Sequence, residues 1–285
     1  MSTLLSSPPL SVIVSRLRSA GCVFAEDEAR LLIRAARTPA DLDALVGRRV
    51  AGQPLEHVLG WAEFCGLRIA VDAGVFVPRR RTEFLVGQAV LARQSARPAG
   101  RVLARQRTVV LDMCCGSGAV GAALAAALGL VELYAVDIEP AAVRCARRNI
   151  AAAGGQVYVG DLYRPLPAAV RGRVDVLVAN APYVPTEAIG LLPSEARIYE
   201  PPTALDGGAD GLDVLRRVAA AAPLWLAPGG HLLVETSERQ APQTAEIIAR
   251  TGLIPRVASS DELNATVAIG TMPTPQNGPD NATDD

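Results

Sequence analysis

The chain contains no lysine; all 28 of its basic residues are arginine. That excludes a lysine Schiff base and the phosphate-binding lysine of a P-loop. Histidine is nearly as scarce, with only His57 and His231. The cysteines (Cys22, Cys65, Cys114, Cys115 and Cys145) show no metal-ligand spacing, so no metal site is expected. Their odd number fits free thiols in a reducing compartment. An excess of one charge is also missing. The formal net charge is -1, which argues against a surface that coats nucleic acid and leaves only a local basic patch open. Long apolar runs are absent too: residues 119–131 form the longest, interrupted by Gly121 and Gly129. A bilayer-spanning helix takes roughly 20 residues. Residues 1–10 lack the basic stretch and apolar core of a signal peptide, so a soluble, cytoplasmic chain with no membrane partner is expected. What is present is bulk: 285 residues, 50% hydrophobic and 20% charged, enough for one large domain with a substantial core and a smaller one beside it.

The opening reads as helices. Residues 10–20 and 26–37 carry helical patterns, with Leu31, Leu32, Ala35 and Ala36 expected on the inner face of the second. Thr38-Pro39-Ala40-Asp41 is a helix start, with Thr38 as N-cap and Pro39 in the first turn. After the break at Gln53-Pro54, Phe64, Leu67, Ile69 and Val71 suggest two short strands turning at Cys65-Gly66. Residues 75–79 continue extended to a proline stop, a helix begins near Thr82, and part of 92–107 reads as a surface loop. From Thr108 the rhythm is strand, helix, strand, helix, which means a parallel sheet covered on both faces. A helix is expected over 212–226 and a turn at Pro228-Gly229-Gly230 leading into a strand that starts at His231. Two last strands without an intervening helix suggest an antiparallel edge, and 271–285 reads as a disordered acidic tail.

Two stretches carry chemistry. In residues 174–183 a mostly apolar run with β-branched Val174, Val176 and Val178 ends on Asn180-Ala181-Pro182-Tyr183. Pro182 cannot continue a central strand, so the strand must end there, at the sheet edge where α/β proteins bind ligands. Asn180 Oδ1 and the Ala181 carbonyl are two acceptors in one small space. They suit a planar NH2 group, hold it through both hydrogens and raise its electron density, while Tyr183 packs on the group that carries it. An ordinary proline turn would use the same four residues. The second stretch is Asp112-Met113-Cys114-Cys115-Gly116-Ser117-Gly118, which joins a strand to a helix. Gly116, Gly118 and Gly121 match the dinucleotide fingerprint, so a nicotinamide cofactor competes here. Asp112 separates the alternatives: a pyrophosphate would be repelled by it, whereas the ammonium group of S-adenosylmethionine would be attracted. Asp137 is placed to bind ribose hydroxyls and Asp161 to accept from an adenine amino group. Cys114 and Cys115 are read as small loop residues rather than nucleophiles.

With these motifs the chain resembles the HemK/PrmC family of protein N5-glutamine methyltransferases. The likeness runs from Gln53 to Gly270. It is carried by residues 53–60 with Phe64 and Gly66, by residues 75–79 with Thr82-Glu83, and most specifically by Tyr199-Glu200-Pro201-Pro202-Thr203-Ala204-Leu205 and residues 207–213. The resemblance implies an α/β fold with the Rossmann-like sheet of class I S-adenosylmethionine-dependent methyltransferases, a small N-terminal helical domain and a linking β-hairpin. It implies a domain order of 1–60 for the helical, substrate-docking part, 61–80 for the hairpin, 81–270 for the catalytic part and 271–285 for the tail. The implied reaction is methylation of a glutamine side-chain amide in a peptide chain release factor. By position, the resemblance places Phe76, Arg79, Cys114 to Gly118, Asp137, Leu162 and Asn180 at the cofactor, and Asn180, Ala181, Pro182 and Tyr183 at the substrate amide.

The departures from the family pattern are local. The usual turn is Asn-Pro-Pro-Tyr, so Ala181 replaces a proline and its rigidity. Arg80-Arg81 stands for a usual Pro-Glu, Cys114-Cys115 for a glycine and a small polar residue, and Leu162 for an aromatic one. Three other readings follow from the residues: methylation of an exocyclic amine of adenine or guanine, with Arg79, Arg80 and Arg81 on phosphates; a nicotinamide-dependent oxidoreductase; and an inactive S-adenosylmethionine-binding assembly protein.

Overall fold

The computed structural model describes residues 9–95 and 107–274. The first helices, α1 (Leu10–Ser19), α2 (Ala25–Ala35), α3 (Pro39–Val50) and the short α4 (Leu55–Leu59), pack around their own apolar cluster of Ile13, Leu17, Leu32, Leu42 and Val46. Thr38 caps α3 as its spacing suggests: Asp41 N–H donates to Thr38 Oγ1 at 3.1 Å, and Arg37 N–H donates to Asp41 Oδ2 at 2.9 Å. The inner face of α2 meets expectation in part. Leu32 is buried and Ala36 packs against the cluster, Leu31 is half-buried and Ala35 is exposed, because the apolar stripe is set by the 25/29/32 spacing of Ala25, Ala29 and Leu32. Helix α4 follows Pro54, which opens it rather than ending the helical region.

A hairpin follows, β1 (Trp61–Phe64) paired antiparallel with β2 (Leu67–Ala70). Cys65 (φ 49°) and Gly66 (φ 72°) both take left-handed backbone, as a two-residue hairpin turn requires. Residues 75–79 run extended without joining a strand, and a single turn at Arg80–Thr82 leads into α5 (Glu83–Ser95). Most of the expected surface loop, 96–106, lies outside the described residues.

The larger sheet is built from β3 (Thr108–Met113), β4 (Val131–Asp137), β5 (Gln156–Val159), β6 (Val174–Ala179), β7 (Leu226–Thr236), β8 (Ile254–Ser260) and β9 (Ala265–Thr271), in the order β5-β4-β3-β6-β7-β9-β8. The first five are parallel. β9 runs antiparallel to both β7 and β8, the edge that two strands without a helix between them suggested. Alternate residues face opposite sides. Val110, Val176, Val178 and Leu233 meet α5, α6 (Ala119–Leu128) and α7 (Pro140–Ile150). Leu111, Met113, Leu177 and Leu232 meet α9 (Asp213–Ala221) and α10 (Ala241–Arg250), where α8 (Ser194–Tyr199) is the short helix between β6 and α9.

Two boundaries depart from the sequence reading. Helix α9 stops at Ala221 because Pro223 lacks a donor for the next turn, and Leu226 opens a strand. Pro228-Gly229-Gly230 is an irregularity inside β7, where the register slips between Val174 and Val176, so His231 lies within the strand rather than at its start. Residues 275–285 of the expected tail are outside the described residues.

Chain order reverses at β3: β4 and β5 lie to one side, β6 and β7 to the other. At the carboxyl ends Met113 pairs with Ala179, and Ala179 with Val234. Two segments therefore leave the sheet side by side, beginning at Cys114 and Asn180, next to Glu235, which stays in β7 paired with Val267 of β9. This is the switch point at which open α/β sheets bind ligands.

Candidate active site

A cavity of about 980 Å³ opens there. It is walled by Phe76, Arg79, Asp112, Cys114 to Ser117, Asp137, Asp161, Leu162 and Asn180 to Tyr183. Of the residues that the sequence placed at the cofactor or the amide, Gly118 alone is not in the wall and instead caps α6 and packs against Ala146. The loop after β3 is sharply bent. Cys114 (φ 56°), Gly116 (φ 54°) and Gly118 (φ 76°) all take left-handed backbone, and a Cβ on Gly118 would lie 3.0 Å from Ala146 Cβ. Cys114 accepts this strain as a non-glycine residue.

Asp112 is buried beneath the loop. Its Oδ2 accepts from Gly121 N–H at 2.8 Å, which anchors the first turn of α6. Burial pushes its carboxyl up to about 8, only partly offset by that hydrogen bond. Asp137 ends β4 with both oxygens held by main-chain donors, Gly116 N–H at 2.8 Å and Glu139 N–H at 2.9 Å; burial raises it as well. Burial likewise raises the thiols of Cys114 and Cys115 far above the range of a reactive thiolate, in keeping with their reading as loop residues. Asp161 reaches the cavity already paired: Arg217 Nη2 donates to both its oxygens at 2.7 Å. An adenine amino group would share this carboxylate with Arg217. Leu162 sits beside it in left-handed backbone, φ 49°.

The residues fit S-adenosylmethionine. A carboxylate whose ionisation burial disfavours gains a partner in an ammonium group. A carboxylate fixed by backbone donors keeps lone pairs for a ribose diol, and the glycine loop lets a ligand approach main chain.

On the other side of the cavity Asn180 is half-buried, Ala181 and Pro182 are buried, and Tyr183 is half-buried. The turn is braced from outside. Gln240 Nε2 donates to the Tyr183 carbonyl and to the Asp210 carbonyl, each at 3.0 Å. Val184 N–H donates to Leu205 O at 3.1 Å and Gly207 N–H to Val184 O at 2.9 Å. A Cβ on Gly207 would fall 2.7 Å from the Pro182 carbonyl, and one on Gly211 2.3 Å from the Tyr183 carbonyl. The glycines of residues 207–211 thus let that block lie directly against the turn.

The approach segment is held in the same way. Glu200 is buried and accepts from Val77 N–H at 3.1 Å and Arg79 Nη2 at 2.5 Å, so it orients the approach segment. His57 is buried, with its Nε2 2.8 Å from the Val75 carbonyl. Arg81 Nε donates to Glu235 Oε1 at 3.2 Å. Arg79 and Arg81 are thus each paired with a buried carboxylate, while Arg80 and Arg81 stay exposed. Sequence reasoning missed the pairing of Arg81 with Glu235, and it missed Gln240. The one available signal was that Glu235 is an acid among the apolar residues 232–234 of a buried strand.

Fold, glycine loop and paired carboxylates together define a class I methyltransferase of the S-adenosylmethionine-dependent type. Residues 68–192 match the methyltransferase small domain family. A 16S rRNA methyltransferase from T. thermophilus superposes with a TM-score of 0.50 at 19% identity, over 74% of this chain and 49% of that one, a likeness of fold. A curated release factor glutamine methyltransferase from Geobacter sulfurreducens is 39% identical over 228 residues, 79% of this chain and 75% of the relative. One from Streptomyces coelicolor is 36% identical over 208 residues, 72% of this chain and 71% of the relative. The chain belongs to the release factor glutamine methyltransferase family. That membership overturns the nicotinamide reading of the glycine fingerprint.

Proposed function

We propose that the chain transfers a methyl group from S-adenosylmethionine to the side-chain amide nitrogen of a glutamine in a peptide chain release factor. The observation that carries this is the pairing of Met113 with Ala179, which sets the donor loop and the Asn180 turn side by side in one cavity. When bound, S-adenosylmethionine would supply an electrophilic methyl group, its S–CH3 bond breaking as S-adenosylhomocysteine leaves. The residues then divide the work. Asp112 meets the donor's ammonium group, and Asp137 its ribose. Phe76, Arg79, Leu162 and the backbone from Cys114 to Ser117, Cys115 included, enclose it, and Asp161 faces the base.

Asn180 Oδ1 and the Ala181 carbonyl each accept one N–H of the substrate amide. Such a nitrogen is delocalised and a weak nucleophile, so orientation supplies much of the acceleration. Positive charge develops on it, and two fixed acceptors stabilise that charge as an oxyanion hole stabilises the opposite sign. Pro182 fixes the turn and Tyr183 packs on the amide plane. No strong base is needed beforehand, because the protonated product is itself very acidic. The five cysteines are all free thiols, which supports a cytoplasmic setting.

The test is incubation with isotopically labelled methyl donor and bacterial release factors, digestion, and mass spectrometry. The expected product carries one label on a single glutamine side chain. Label on RNA, or donor binding without label on any protein, would overturn the proposal.

A further inference from the structure

Glu235 follows Val234 on β7 as Asn180 follows Ala179 on β6, and Val234 and Ala179 are register partners. Glu235 is only 4% exposed. Its Oε1 accepts from Arg81 Nε at 3.2 Å and from Tyr183 Oη–H at 3.3 Å. Its Oε2 is buried and, among the described residues, has no donor. A buried carboxylate with one oxygen unmatched is costly, and the apolar neighbours Leu232, Leu233 and Val234 show that packing here needs no charge. Arg81 touches both partners: besides its bond to Glu235, its guanidinium carbon lies 5.8 Å from the centre of the Tyr183 ring. The ring is thus gripped at its hydroxyl by one side chain and on its face by another. The turn that carries it includes Ala181, whose φ is not locked by a ring as that of Pro182 is.

We propose that Glu235 and Arg81 are positioning residues that form a bracket setting the Tyr183 ring against the reacting amide, doing by side-chain contacts what the backbone at Ala181 does not. This rests on the reading of the Asn180–Tyr183 turn as the amide site. The two contacts leave the ring with one orientation, which its two side-chain torsions alone do not fix. Among the described residues neither side chain hydrogen-bonds to the donor loop, so the bracket acts on turnover more than on donor affinity.

The test is a cycle of full-length variants: Glu235→Gln, Arg81→Met, Tyr183→Phe and the double variants Glu235→Gln/Tyr183→Phe and Arg81→Met/Tyr183→Phe. Melting temperature, donor affinity by calorimetry, and kcat and KM on a release factor are read for each. Glu235→Gln and Arg81→Met are each expected to lower kcat about tenfold, with donor affinity held within twofold. With Tyr183→Phe already in place, adding Glu235→Gln is expected to cost less than a further twofold, because the hydroxyl contact it served is gone. Losses that multiply in that double variant, an unchanged kcat, or a fall in donor affinity matching the fall in kcat would overturn the bracket. A crystal structure of Glu235→Leu reads the ring directly. A displaced ring supports the bracket even if the wild-type chain labels no protein glutamine, a result that would sink only the proposed function; an unmoved ring overturns the bracket.

Discussion

Asp112 shows how a single residue couples binding to pH. Its carboxyl is pushed up to about 8 because burial penalises the charge. In the unfolded chain it would sit near the ordinary value of about 3.9. The native state therefore holds this proton more tightly than the unfolded state does. Its contribution to stability is present at low pH and is lost as pH rises from about 4 through about 8. A cationic donor reverses the preference, since it binds the ionised form. Donor affinity should accordingly rise as pH climbs from 6 to 9, and calorimetry in buffers of different ionisation enthalpy should register proton release. In Asp112→Asn, which keeps an acceptor for Gly121 N–H, the affinity should be weaker and nearly flat with pH. A wild-type affinity flat over that range would separate Asp112 from the ammonium group.

At the scale of the element, the active-site turn is held by parts distant in sequence. Gln240 at the start of α10 and the glycines of residues 207–211 fix it from behind. Replacing Gln240 with Ala removes the donor to two carbonyls and is expected to destabilise the protein by about 1–3 kcal/mol. It should also lower kcat more than donor affinity. Gly211→Ala should do at least as much, since its Cβ would meet the Tyr183 carbonyl and Gln240 Nε2 while φ is +80°. Thermal melts and steady-state rates check both; wild-type values in either would show that the turn holds itself.

These contacts also mark where the sequence stopped being readable. The strand-to-turn passage at Asn180 and the bend at Gly116 to Gly118 were legible because proline and glycine dictate backbone locally. The buried core strands were legible from their apolar β-branched runs. The pairings Arg79–Glu200 and Arg81–Glu235 span 121 and 154 residues, and nothing local in a charged residue says which distant partner it meets. The start of β7 was hidden for a related reason. Its Pro228-Gly229-Gly230 reads as a turn, and only pairing with β6 keeps it in the sheet.

At the scale of the molecule, the N-terminal helices are joined to the site. Arg49 of α3 is buried, donates to Glu28 Oε2 at 2.6 Å and to Gln53 O at 3.0 Å, and reaches Glu195 Oε1 of α8 at 2.7 Å. Tyr199 Oη–H donates to the Ala51 carbonyl at 3.2 Å. Since Glu195 walls the cavity, the helical module and the site share one ion network. Removing one member of a buried pair strands the other, so Arg49→Ala is expected to cost about 3–5 kcal/mol and to lower the melting temperature clearly. If the helices dock the substrate, the KM for a release factor should rise more than the KM for a short glutamine peptide. Equal changes in the two would leave Arg49 a purely structural residue.

The amide grip itself is reached most directly through Asn180→Ala, with single-turnover methyl transfer to a release factor and donor affinity measured on the same preparation. Transfer should slow on the order of 100-fold or more while donor affinity changes severalfold at most. Transfer at the wild-type rate would contradict the assignment of Asn180 and the Ala181 carbonyl as the acceptors that hold the reacting nitrogen.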